Sequence, residues 1–69
     1  MKEYLLNLNA QSNGDHEVHA KGCRFEPTQN IERLGFYFSC NSAVSEAKSR
    51  YPYKKINGCV YCSELCHTS

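Results

Sequence analysis

Two pairs of residues stand out for the chemistry they could do together. His19 and Cys23 form an H-x3-C, and Cys59 and Cys62 form a C-x2-C. Imidazole nitrogen and thiolate sulfur are donors that a tetrahedral zinc ion accepts, and zinc sites usually draw two close pairs from distant parts of a chain. Gly22 lets the backbone turn inside the first pair, and Gly58 frees the approach to the second. Four protein ligands would close the coordination sphere, which marks a structural site; a catalytic zinc keeps an open position for water. The expected ligands are therefore His19, Cys23, Cys59 and Cys62, and the expected ion is zinc.

Plainer readings exist for each residue. A histidine on an apolar strand face can be a hydrogen-bonded core residue, and free cysteine packs as a small hydrophobe. Cys59 and Cys62 could form a redox pair, but such pairs sit on a thioredoxin-like scaffold that 69 residues are too few to build. Cys40 is expected to pack in the core. Cys66 and His67 lie one helical turn beyond Cys62, so Cys59, Cys62, Cys66 and His67 are a compact alternative ligand set. Haem attachment needs histidine directly after the second cysteine of C-x-x-C, and Ser63 stands there. The C-x2-C-x3-C spacing also suggests an iron–sulfur cluster, a reading disfavoured because only one further cysteine pairing is plausible. The chain carries no G-x-S-x-G, no H-E-x-x-H and no glycine-rich phosphate loop, and Asp15 is its single aspartate. The expectation is a protein that is not an enzyme.

Length argues in the same direction. Residues 1–69 make one domain. A core of this size seldom supplies more than about 3–5 kcal/mol without a staple such as a metal or disulfides. The start Met1-Lys2-Glu3-Tyr4-Leu5-Leu6-Asn7 breaks its apolar run too early for a secretory signal. No stretch is long enough to cross a membrane. The cytoplasm is thus the expected location, with thiols kept reduced. Five cysteines, an odd number, also fit a disulfide framework poorly. Net charge is only +1, which is not the profile of a chain built mainly to hold nucleic acid. One segment does interleave bases and rings: Lys48, Arg50, Lys54 and Lys55 with Tyr51 and Tyr53. It could neutralise phosphates and stack on bases; a solvated loop anchored by its tyrosines is the plainer reading.

The elements that must position the ligands follow from patterning. Tyr4, Leu6 and Leu8 alternate with Leu5, Asn7 and Asn9, the period of a strand. Asn13-Gly14 predicts a two-residue hairpin turn, with a second strand over Asp15 to Ala20. In that register Leu8 opposes His19, which joins Tyr4 and Leu6 on the apolar face, while His16 joins Asn7 and Asn9 on the polar face. Residues 24–34 read as a connector, Leu34 to Phe38 as a third strand. Ser39 to Ser42 offer helix caps. Ala43, Val44, Ala47 and Tyr51 share one helical face, and Pro52 stops the helix. Residues 52–58 read as a polar loop, and the tail from Cys59 to Ser69 as room for one more helical turn. The fold class is α+β: a small antiparallel sheet of about three strands, one main helix, and zinc pinning the hairpin's end to the C-terminal knuckle.

This order of parts resembles the zinc-binding module at the N-terminus of the Ada DNA-repair methyltransferase. Related modules occur in small bacterial proteins and as appendages to nucleases and DNA-uptake proteins. The matching pieces are His19-x3-Cys23, Pro27 and Asn30 in the connector, Leu34 to Phe38 as strand, Ser39 as cap, Ala43 in the helix, and Cys59-x2-Cys62. Two departures matter. Ser49 to Asn57 look inserted. The family's methyl-accepting residue is the first cysteine of the first pair, and His19 stands at that position. Methyl transfer needs a zinc-activated thiolate there, so the resemblance implies a fold and a metal without the repair chemistry. The expected function is a zinc-stabilised binding module that contacts nucleic acid or protein. The alternative is a zinc-thiolate group-transfer site, with Cys23 as its reactive residue, or a metal- or redox-responsive protein.

Overall fold

Tyr4, Leu5 and Leu6 are consecutive and all buried, so the strand that carries them must be covered on both faces. This decides the architecture. The computed structural model describes residues 1–67; Thr68 and Ser69, the end of the expected tail, lie outside them. The elements in order are β1 (Lys2–Asn7), β2 (Asp15–Ala20), β3 (Ile31–Tyr37), α1 (Cys40–Arg50), β4 (Lys55–Gly58) and a short 3-10 turn at Glu64–Cys66. The sheet runs β3-β1-β2-β4. β1 pairs antiparallel with β2 and with β3, and β4 lies parallel to β2. The chain leaves one edge at β3, crosses the sheet as α1 and returns as the other edge.

The class is α+β, as expected, but the sheet has four strands and is mixed. Residues 55–58 are strand and not polar loop. Their sequence, Lys-Ile-Asn-Gly, has little strand propensity. The ladder to Asp15–Val18 forms it, a long-range pairing that local patterning does not reveal. The third strand begins at Ile31, inside the expected connector, and the helix begins at Cys40. Ser39 is the N-cap residue, though its side chain makes no capping hydrogen bond.

The hairpin register differs too. Leu5, not Leu8, faces His19, and Leu6 faces Val18. The cause lies in the turn. Gly14 N–H donates to the Gln11 carbonyl and Gln11 N–H to that of Asp15. Gly14 is at φ +90 and Asn13 is not at positive φ, so the type I′ turn, which needs both, does not form. The resulting loop is one residue longer, and the other two residues of the offset are taken up between the turn and β1, where Leu8 N–H turns away to the Asn30 carbonyl on the β3 side. The slip moves His19 to the face opposite Tyr4 and Leu6, because strand side chains alternate. His16 is buried on Val18's face and not on a polar one; its Nδ1 lies 3.1 Å from the Asn7 carbonyl oxygen.

Helix α1 covers Tyr4, Leu6, Val18, Ala20 and Leu34, and it presents Ala43 and Ala47, both fully buried. Small residues there let the helix sit close on the sheet. Its C-terminal end is tied to the edge strand: Arg50 reaches Glu46 and Glu32, each at 2.7 Å, and the Tyr51 hydroxyl donates to Glu32. Those hydrogen bonds, Tyr51's first, hold the Glu32 carboxyl below its usual range. The other sheet face carries Leu5 and His19, and there the cysteines assemble.

Cys40 is buried, as expected, but it is not a free thiol. It is disulfide-bonded to Cys66, 26 residues away, which corrects the expectation of wholly reduced cysteines. The odd count is resolved as one pair plus three free thiols, Cys23, Cys59 and Cys62. The alternative ligand set falls with it, since Cys66 is bonded to Cys40.

Candidate metal centre

Each ligand is placed by a local backbone feature. His19 is carried by β2. One residue later the chain turns through Ala20-Lys21-Gly22-Cys23, where Cys23 N–H donates to the Ala20 carbonyl at 3.1 Å. Gly22 is at φ +88, the conformation a type II turn requires at its third position. This turn folds Cys23 back beside His19. Its outer side is held by Glu26, whose carboxylate accepts from Gly22 N–H at 2.6 Å and pairs with Lys21 at 3.6 Å.

The second pair is delivered by β4. Because β4 runs parallel to β2, Cys59 emerges beside Val18, and its N–H donates to the Val18 carbonyl at 3.0 Å. The knuckle then closes through Ser63 N–H onto the Cys59 carbonyl at 2.8 Å. Gly58 serves by its lack of a side chain: a Cβ there would lie 2.6 Å from the Ser63 carbonyl oxygen and 2.8 Å from Cys66 Cβ.

The outcome is that His19, Cys23, Cys59 and Cys62 come together with every donor atom within 4.8 Å of the others. All four residues named from the sequence are in this one cluster. Tetrahedral bonds of about 2.0–2.3 Å place donors roughly 3.6–3.8 Å apart, so a small contraction completes the shell. His19 Nδ1 is 3.8 Å from Cys62 Sγ and faces the thiols. Its Nε2 lies 3.5 Å from the Glu17 carboxylate. A carboxylate behind a ligating imidazole fixes the tautomer and orients the ring.

The electrostatics fit a cation. Burial pushes the His19 imidazole below its ordinary value, against the opposing pull of Glu17 and then Glu26. Burial, and then a hydrogen bond that the Cys62 thiol donates to Cys23, push the Cys62 thiol well above its own. Three crowded thiols disfavour thiolate among themselves; a bound cation reverses that preference and deprotonates them. The histidine shift has a consequence for the metal-free chain. The unfolded imidazole titrates near about 6.5, and the folded one lower, so between those values the unfolded chain binds more protons. Protons held by the unfolded, metal-free chain must leave when the centre loads, so apparent zinc affinity is expected to fall as pH drops below about 6.5, read by zinc titration across pH.

Two features around the cluster were not read from the sequence. Glu17 is one: two residues before His19 on a strand, it must share its face, and that spacing was the available signal. The other is an aromatic clasp between the knuckles. Phe25, two residues after Cys23, packs on Tyr61, which lies inside C-x2-C, with ring centroids 4.4 Å apart. Arg24 sits 5.7 Å over the Phe25 ring.

The basic segment is not brought to this site, and much of it is engaged elsewhere. Arg50 binds Glu32 and Glu46. Lys55 donates to the Asn13 carbonyl at 2.9 Å. Lys54 lies over the rings of Tyr51 and Tyr53, at 5.4 and 5.6 Å. The alternative ligand His67 is also occupied, its Nδ1 3.0 Å from the Gly58 carbonyl oxygen. Compared with family models, with curated proteins and with solved structures, the chain has no match in any of the three.

Proposed function

We propose that this protein is a binding module whose fold is completed by a zinc ion on His19, Cys23, Cys59 and Cys62, and that it is not an enzyme. The observation that carries this reading is the convergence of three sulfurs and one nitrogen within 4.8 Å. Four protein donors saturate tetrahedral zinc and leave no position for substrate or water. The reading agrees with the fold and metal that the Ada-type resemblance implies. It leaves out methyl transfer, because His19 offers no thiolate at the accepting position.

Protein is favoured over nucleic acid as the partner. The cations of the expected nucleic-acid segment are largely engaged within the chain. By contrast Phe38, Tyr61 and Leu65, all strongly exposed, line a single groove. The location proposed remains the cytoplasm.

Cobalt substitution tests the centre. Tetrahedral cobalt with three thiolates should give strong visible absorption and thiolate charge-transfer bands at one equivalent, displaced by zinc. A pink octahedral spectrum would count against the reading. Glu17→Gln should leave that spectrum in place while weakening zinc affinity by roughly tenfold or more, as loss of a carboxylate behind a ligating histidine does. Salt-sensitive nucleic-acid binding that weakens in Lys54→Ala/Lys55→Ala would overturn the choice of partner.

A further inference from the structure

The Cys40–Cys66 disulfide does not contact the donor cluster as a ligand, yet it governs the segment that carries half of it. Cys59 and Cys62 lie on a tail with little secondary structure of its own: among the described residues after β4 there is only the 3-10 turn Glu64–Cys66. That tail is folded back on itself by Cys66 N–H to the Ser63 carbonyl at 2.9 Å and His67 N–H to that of Glu64 at 3.1 Å. Cys66 packs on Gly58, the residue from which the knuckle departs. The covalent bond then fixes Cys66 to Cys40, the first residue of α1. One end of the knuckle is thus held by the sheet, through Cys59 N–H on Val18, and the other by the helix.

We infer that the Cys40–Cys66 pair is a redox control on the metal centre, the oxidised form holding the Cys59–Cys62 knuckle in place and binding metal more tightly than the reduced form. This rests on the metal reading above. In the reduced form the tail past Cys62 keeps its hydrogen bonds, His67 on the Gly58 carbonyl among them, and its packing, but loses the covalent tie to α1, so metal binding must do more to order the knuckle, which lowers affinity. The chemistry is ordinary thiol–disulfide exchange. With glutathione disulfide as oxidant, the Cys40 and Cys66 thiols form one S–S bond and the glutathione S–S bond breaks. Two electrons and two protons pass to two glutathione thiols, and the metal changes oxidation state in neither direction. In a reducing cytoplasm the pair rests in the low-affinity form, so oxidation is the signal that tightens the site. Coupling is reciprocal: whatever factor oxidation adds to metal affinity, metal must add to the stability of the disulfide.

The test is zinc titration of the full chain against a chromophoric chelator. It is run on the oxidised protein, on protein reduced with a phosphine, and on Cys40→Ser/Cys66→Ser. The expected result is affinity at least about tenfold weaker in the reduced protein and in the double variant. Zinc should then shift the glutathione midpoint of the pair by about 30 mV to more negative potential for each tenfold. If the double variant does not fold, the phosphine-reduced wild type carries the comparison. Equal affinity in oxidised and reduced protein, or failure of the pair to oxidise with glutathione disulfide, would overturn this inference while leaving the zinc module intact. No zinc bound by either form would instead overturn the module, and this control with it.

Discussion

Replacing Cys59 by serine is expected to abolish cooperative folding of this chain. Structural zinc contributes about 10–16 kcal/mol of apparent binding free energy in small domains. At this length the balance of core burial against chain entropy comes out near zero. The Cys40–Cys66 bond adds about 3–4 kcal/mol by the loop-entropy relation for its 26-residue separation, which the buried, unliganded thiols and imidazole oppose. In the proposed reading the metal is the largest single contribution, and its loss should exceed loss of the disulfide. Cys59→Ser, the most buried of the three thiols, removes a ligand and leaves Cys23 and Cys62 to face each other. Chelation of the wild type should give the same loss of near-ultraviolet dichroism and of dispersed amide resonances, and zinc should restore both. A Cys59→Ser protein that melts as the wild type does would show that the fold stands without the centre.

Gly58→Ala comes second. Its Cβ would fall 2.6 Å from the Ser63 carbonyl oxygen, 2.8 Å from Cys66 Cβ and 2.9 Å from the Cys66 carbonyl carbon. Two of the three are backbone atoms, so no flexible side chain can swing aside. The tail must move as a unit, and that carries Cys62 away from His19. Overpacking of this kind costs about 1–3 kcal/mol, occasionally more. For a domain of this size each kcal/mol lowers Tm by roughly 4–8 °C, so a fall of about 10–20 °C is expected. Gly22 makes the informative contrast. Nothing lies within 4 Å of a Cβ built there, and its requirement is the positive φ alone. Gly22→Asn should therefore cost little, because asparagine tolerates that conformation. Equal losses at Gly58 and Gly22 would contradict this distinction between crowding and backbone conformation.

The four clustered residues were legible in the sequence because donor type and spacing are local properties. H-x3-C with a glycine inside and C-x2-C after a glycine name their own chemistry. The hairpin and the helix were legible for the same reason: alternation in Tyr4 to Leu8, helical spacing in Ala43 to Tyr51, and proline at 52. What stayed hidden was pairing. Whether Leu5 or Leu8 faces His19 depends on one residue of turn length and on two more taken up between the turn and β1, neither of which Asn13-Gly14 determines. β4 exists because Asp15–Val18 offers it a parallel partner; Lys-Ile-Asn-Gly alone does not announce a strand. Cys40–Cys66 could not be assigned either, since five cysteines permit many pairings until the tail is placed against α1. Even so, the register error did not misplace the centre. Moving His19 to the other face brought it to the side from which the knuckle approaches.

The most direct measurement is the metal content of protein purified without added metal, by elemental analysis, on the wild type and on His19→Ala and Cys59→Ser. The account predicts one zinc per folded wild-type chain, with metal and fold lost together in both variants. A folded wild type that carries no metal would contradict it and leave a thiol-rich α+β domain held by its core and one disulfide.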